Sequence, residues 1–192
     1  MSEAPIQYLL SRRSVKFVQA PGPDDDELAQ ILETAMRAPD HGRLRPWRFK
    51  ILRNDAIQKL ADLAIPATRR AGIEMTPEKE ETTRRWLKAV PLMLAVACHI
   101  DHSNTRIPED ERLLATGAAV TNILNAAHML GYAAYWSTGL GTYVDEVNEA
   151  LGFDPLDYRF MGYVVLGTPI RSMTPPERPD HRDFVSEWTG PA

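Results

Sequence analysis

The stretch Glu109–Leu130, EDERLLATGAAVTNILNAAHML, decides the fold. Leu113, Leu114, Gly117, Ala118, Val120, Ile123, Leu124, Ala127 and Leu130 recur around most of the circumference of one helix. A helix that is apolar nearly all round is buried on several sides. The small residues Gly117, Ala118 and Ala119 let another backbone approach it closely, and Gly131 is a natural C-cap. Toward the N-terminus, Val90–Ile100 reads as a central strand, apolar on both faces.

Smaller elements follow on either side. Ala133–Ser137 reads as a strand, Val144–Leu151 as a short helix, and Arg159–Leu166 as a last strand closing on Gly167-Thr168-Pro169. Upstream, a first helix is expected over Ala4–Arg12. Asp24, Asp25 and Asp26 offer an N-cap and an acidic first turn for a helix carrying Leu28, Ile31, Leu32 and Ala35, which Pro39 stops. Trp47, Phe49, Ile51 and Leu52 suggest a strand ending at Arg53-Asn54. Residues Asp55–Leu87 read as an outer, amphipathic helical region in two or three pieces, broken near Pro66 and Pro77. The Pro-rich tail, Thr174–Pro179, is expected to wrap over a neighbour with Phe184 and Trp188 as anchors. No linker divides the chain, so residues 1–192 form a single α+β domain with helices around a mostly antiparallel central sheet. Strand order is not fixed by the sequence.

Composition narrows the function classes. With 44% hydrophobic and 25% charged residues the chain builds a full core without metals or disulfides. A net charge of −4 excludes a general nucleic-acid binder, which needs a basic footprint. Arg69-Arg70 and Arg84-Arg85 lie near Glu78, Glu80 and Glu81 and read as solvated helix faces. The single Cys98 forms no intramolecular disulfide, which fits a reducing compartment. His99 and His102 lack a nearby third ligand, so no metal site is expected. Met1-Ser-Glu-Ala-Pro is not a secretory signal, and Val90–Cys98 is too short to span a bilayer. By elimination the expectation is a cytoplasmic protein with no membrane partner.

Three segments could carry chemistry. In Ser11–Phe17, SRRSVKF, three cations and two hydroxyls within residues 11–16 make a phosphate grip. A cationic helix terminus that merely satisfies the dipole accounts for them equally well. In Met36–Phe49, Pro39 ends a helix and presents Asp40, His41, Gly42 and Arg43 on a rigid loop before Arg45-Pro46-Trp47; an ordinary helix stop with polar surface residues is the plainer account. In Tyr135–Gly139, YWSTG, a strand end can turn backbone N–H groups toward a ligand. No nucleophile elbow, glycine-rich phosphate loop or dinucleotide fingerprint is present. If the chain is an enzyme, its reactive group is a cofactor.

Taken together and in this order, the segments resemble the nitroreductase family of FMN-dependent oxidoreductases, in its short YdjA-like subgroup. The resemblance rests on Arg12-Arg13-Ser14 with Lys16, on Arg37-Ala38-Pro39-Asp40-His41, on Arg45-Pro46-Trp47, on the long helix ending at Gly131, on the strand to Trp136, and on Gly167-Thr168-Pro169. It covers about Pro5 to Val185. Arg43 and Arg45 stand where the family commonly has Asn and Gln, and the chain lacks the long inserted helices of larger members.

The resemblance implies an intertwined homodimer with FMN at the subunit interface. Arg12, Arg13 and Ser14, with Lys16, would hold the phosphate and ring edge. Arg37 and His41 would reach the flavin from the other subunit, and Trp136, Ser137 and Thr138, with Gly139, would line the ring. Arg178 or Arg182 would complete the phosphate site. The implied activity is ping-pong: NADH or NADPH reduces FMN, and an electron-poor small molecule such as a nitroaromatic or quinone is reduced in turn. No side chain is expected to be catalytic by itself. The rival reading is a module that stores FMN or senses redox state without turnover, and a third is a helical interaction protein without flavin.

Overall fold

The computed structural model describes residues 5–171, 174 and 177–191. Its elements are α1 (Pro5–Ser11), β1 (Val18–Gln19), α2 (Asp25–Ala35), β2 (Trp47–Arg53), α3 (Asp55–Arg70), α4 (Pro77–Ala89), β3 (Leu92–His99), α5 (Glu109–Met129), β4 (Ala133–Ser137), α6 (Asp145–Ala150) and β5 (Tyr158–Pro169), with 3-10 turns at His41–Arg43 and His181–Phe184. The sheet runs β1-β5-β3-β2 with β4 also on β5, and every pairing is antiparallel.

The apolar run of β3 is divided between two cores, because successive side chains leave a strand on opposite faces. Met93, Ala95 and Ala97 join Ile57, Leu60, Ala64, Ile65 and Leu87 of α3 and α4. Leu92, Leu94 and Val96 join Leu28 and Ile31 of α2 and Val120, Ile123 and Ala127 of α5. The sheet is therefore covered by helices on both faces.

Helix boundaries follow their caps. The Asp24 side chain accepts from the Glu27 N–H at 2.8 Å while the Glu27 carboxylate accepts from the Asp24 N–H at 3.0 Å, a capping box that starts α2. Pro77 opens α4 in the first turn, where its missing N–H costs nothing.

The expected break at Pro66 does not occur. Pro66 lies inside α3, whose face of Ile57, Leu60, Ala61, Ala64, Ile65 and Ala67 is buried continuously across it. Core packing outweighs the lost hydrogen bond, and the chain turns only at Gly72, where φ is +75°. Helix α3 is amphipathic as expected: it covers one face of the sheet with these residues and leaves Lys59, Asp62 and Arg70 exposed. Strand β5 does not close at Leu166; it continues through Gly167–Pro169, which pair with Ala133, Gln19 and Val18. Helix α5 is buried along Ala115, Ala119, Val120, Ile123 and Ala127, yet Leu114 remains 73% exposed, so one chain alone does not surround it. Ala4, expected to begin the first helix, and positions 175–176 of the tail lie outside the described residues.

Candidate functional site

Segment 11–17 leaves α1 and runs beside the start of β4. The Val15 N–H donates to the Ala134 carbonyl at 2.9 Å. This bond sets Arg13–Phe17 alongside the strand that ends at Ser137, and so joins two of the three segments singled out in the sequence. Beside them opens a cavity of about 280 Å³ whose lining includes Lys16, Phe17, Ser137, Thr138, Gly139 and Tyr143, with Met75, Lys79, Thr82, Thr83 and Trp86.

The rim at residues 137–144 is locally tight. Thr142 donates its hydroxyl to the Gly139 carbonyl at 2.6 Å, and the Gly139 N–H donates to Ser137 Oγ at 3.3 Å. Below it, Tyr163 is 1% exposed and donates its phenol to the Leu140 carbonyl at 3.2 Å. Burial pushes that phenol far above its ordinary value, so it remains a donor. Gly162 makes the close approach possible: its φ is +95°, and a Cβ there would stand 2.2 Å from the Ser137 carbonyl oxygen.

Arg12 and Arg13 precede Lys16 in the same segment and are not among the residues that line the cavity. Arg12 Nη1 and Arg13 Nε are buried and have no hydrogen-bond partner among the described residues. Another nitrogen of Arg13, Nη1, donates to the Thr174 carbonyl, which brings the C-terminal segment to the same place. Buried guanidinium donors without acceptors are costly, and a phosphate offers several acceptor oxygens in the matching geometry. The residues present fit an anionic group. Ser14 is exposed. Arg182 is bound to Asp180 through Nε at 3.0 Å and Nη2 at 2.5 Å, and Arg178 is exposed.

The third segment lies elsewhere in the chain. His41 is exposed and pairs through Nδ1 with Glu111 Oε2 at 2.5 Å. It lines a separate cleft with Gly42, Leu44, Asn104, Arg106 and Ile107. Arg37 is exposed and lines neither space. Arg43 and Arg45 both take positive φ, +57° and +49°, which is uncommon for residues with a Cβ. The Arg45 N–H donates to Asp40 Oδ2 at 2.6 Å, and this bond helps to hold the turn.

Trp136 is not brought to the cavity. Its indole donates to the Met161 carbonyl at 2.8 Å and packs on the α2/α5 core, on the face opposite Ser137. The aromatic walls are instead Phe17, Trp86 and Tyr143. Sequence reasoning missed Thr82, Thr83 and Trp86. The available signal was their shared helical spacing with Lys79, a polar and aromatic stripe on an otherwise charged helix. Among the described residues no helix is long and apolar enough to cross a membrane, and no group of three or more His, Cys, Asp or Glu could hold a metal.

Comparison with known proteins is consistent across the chain. The sequence model described as the Nitroreductase family matches residues 9–168. A Haemophilus influenzae protein inferred to be an NAD(P)H nitroreductase is 31% identical over 185 residues, covering 94% of this chain and 97% of that one. Escherichia coli YdjA, inferred to be of the same kind, is 28% identical over 182 residues, with 94% and 97% covered. Among solved structures, a nitroreductase-like family protein from Bacillus cereus superposes with a TM-score of 0.82 at 21% identity, covering 99% and 98% of the two chains. A Desulfovibrio desulfuricans protein assigned as a nitroreductase and solved in complex with FMN gives 0.75 at 23% identity, with both chains covered completely.

Proposed function

The chain belongs to the nitroreductase family, and on that premise we propose that it is an NAD(P)H-dependent oxidoreductase that holds FMN between two copies of itself. The observation that carries this reading is the pair of buried guanidinium nitrogens, Arg12 Nη1 and Arg13 Nε, whose missing acceptors an FMN phosphate supplies. Ser14 adds a hydroxyl to that grip. Lys16, Ser137, Thr138 and Gly139 sit further along the same track and line the space for the ring.

When bound, FMN supplies the hydride chemistry that no side chain of this site provides. The protein's part is to bind, orient and exclude water. Phe17, Trp86 and Tyr143 give the chamber apolar walls, and the hydroxyls of Thr82, Thr83 and Ser137 give it hydrogen-bonding edges. One chamber serves NADH or NADPH first and an electron-poor acceptor, such as a nitroaromatic or quinone, second. A ping-pong pattern follows from that shared use.

Two copies are proposed because one chain offers only part of the site. Arg37 and His41 stand apart from the chamber that Lys16 and Thr138 line, and a second copy would supply them. Ile6, Leu9 and Leu10 of α1, Leu114 of α5, and Phe184 and Trp188 of the tail are all exposed apolar side chains. A homodimer covers such a surface. Trp136, which packs away from the chamber, serves the ring only through the sheet that carries Ser137.

The test is the visible spectrum of the purified protein after incubation with FMN. A flavin spectrum that bleaches with NADH or NADPH and returns on adding a nitroaromatic or quinone supports the reading. A folded protein that stays colourless overturns it. Bound FMN with no steady-state turnover would leave a storage or redox-sensing module.

A further inference from the structure

We propose that Trp86 is a positioning residue for Lys16, holding its ammonium in the chamber through one hydrogen bond and one aromatic face, and so setting how strongly the site prefers the reduced over the oxidised form of its ring ligand. This rests on the FMN reading above.

Lys16 is exposed and, among the described residues, has no carboxylate partner. No Asp or Glu lines the chamber. A lysine in that setting has a long side chain and little to fix it. What the structure supplies instead is aromatic: Lys16 Nζ stands 5.1 Å from the Trp86 ring centroid and 5.8 Å from that of Phe17. Phe17 is the next residue in the chain and moves with Lys16. Trp86 comes from α4, and its Nε1–H donates to the Lys16 carbonyl at 2.9 Å. One indole therefore fixes both the backbone of residue 16 and the direction of its charge.

Trp86 is itself firmly mounted. The next residue, Leu87, is 0% exposed in the α3/α4 core. Nearly two turns earlier, Glu80 is tied to Arg69 and Arg84, and Arg84 reaches Asp62 at 2.6 Å, which links α4 to α3. Lys79, Thr82, Thr83 and Trp86 share one face of α4, the face that lines the chamber.

A cation held in a partly enclosed space favours whichever state of a bound ring carries more negative charge. Two-electron-reduced FMN carries more than oxidised FMN. If Trp86 acts through Lys16, its loss weakens the reduced form more than the oxidised one. If Trp86 is only a wall, its loss weakens both alike.

The experiment measures dissociation constants for oxidised and for dithionite-reduced FMN in wild type, W86F, W86L, K16M and W86L/K16M, with circular dichroism as the check on folding. The expected result is a W86L loss for reduced FMN that exceeds its loss for oxidised FMN by roughly threefold to thirtyfold, the range of a cation–π contact. W86F, which keeps a ring face but not the N–H, falls between W86L and wild type. In the K16M background the W86L selectivity disappears. Equal weakening of both forms, or selectivity that persists without Lys16, overturns the proposal while leaving FMN binding intact. Should W86L not fold, an unchanged ratio in W86F overturns it equally. Wild type that binds neither form overturns this proposal together with the functional reading beneath it.

Discussion

Val15 donates its backbone N–H to the Ala134 carbonyl at 2.9 Å, and this one bond fastens the arginine segment to the strand that delivers Ser137 and Thr138. Residues 119 positions apart in the chain thereby become adjacent walls of one chamber.

Arg12→Ala removes one of the two guanidinium groups of segment 11–17 that carry a buried nitrogen without an acceptor. FMN affinity is expected to fall by roughly tenfold to a hundredfold, the worth of one charge-assisted hydrogen bond, with the thermal midpoint of the flavin-free protein almost unchanged. Fluorescence titration with FMN measures it. Undiminished affinity would remove Arg12 from the phosphate grip.

Gly162→Ala places a methyl group 2.2 Å from the Ser137 carbonyl at a φ of +95°. A loss of about 2–3 kcal/mol is expected, or roughly 5–10 °C in Tm for a chain of this size. The flavin spectrum should weaken as well, because the displaced atoms are those of the chamber rim. Calorimetry showing no change in Tm would mean that the rim has slack which the packing does not reveal.

Leu114→Glu introduces a charge on a surface that is 73% exposed in one chain, so the fold should tolerate it. If α5 meets its copy there, sedimentation will show monomers at micromolar concentration, and flavin will be lost with the dimer. A variant that remains a flavin-bearing dimer places the interface elsewhere.

Tyr132 donates its phenol to Glu27 at 2.6 Å. That bond first, and burial second, push the phenol up to about 12. The folded state holds this proton more tightly than the unfolded chain, whose phenol titrates near 10. The contribution is therefore whole below about pH 10 and lost as pH rises toward about 12. Tyr132→Phe should flatten the decline of urea stability in that window. An equally steep decline in both proteins would show that the bond does not couple to folding.

Much of this was legible because it is local. The N-cap among Asp24–Asp26, the strand Ala133–Ser137 and the course of α5 each follow from a few neighbouring residues. Arg12, Arg13, Lys16, Ser137 and Thr138 were legible as candidates for a similar reason, since each sits at the end of an element. What escaped depends on distant partners. Pro66 stays helical because the core under α3 holds it, and two-residue β1 exists only because β5 runs on to Pro169. Trp86 reads as an ordinary helix residue until α4 is laid against segment 11–17. Trp136, expected beside the ring from the family resemblance, is turned by strand alternation to the face opposite its neighbour Ser137.

The two-sided burial of β3 and β5 has a mechanical consequence. Met93, Ala95, Tyr163 and Val165 press on the layer that carries the chamber, while Leu94, Val96, Val164 and Leu166 press on the layer whose outer helix bears Leu114. With no solvent on either side, an oversized side chain in these strands has no slack to expand into, and strain begun under one layer is transmitted to the other. Ligand pocket and outward-facing helix are thus leaves of one stiff laminate, and neither can be reshaped without bending its counterpart.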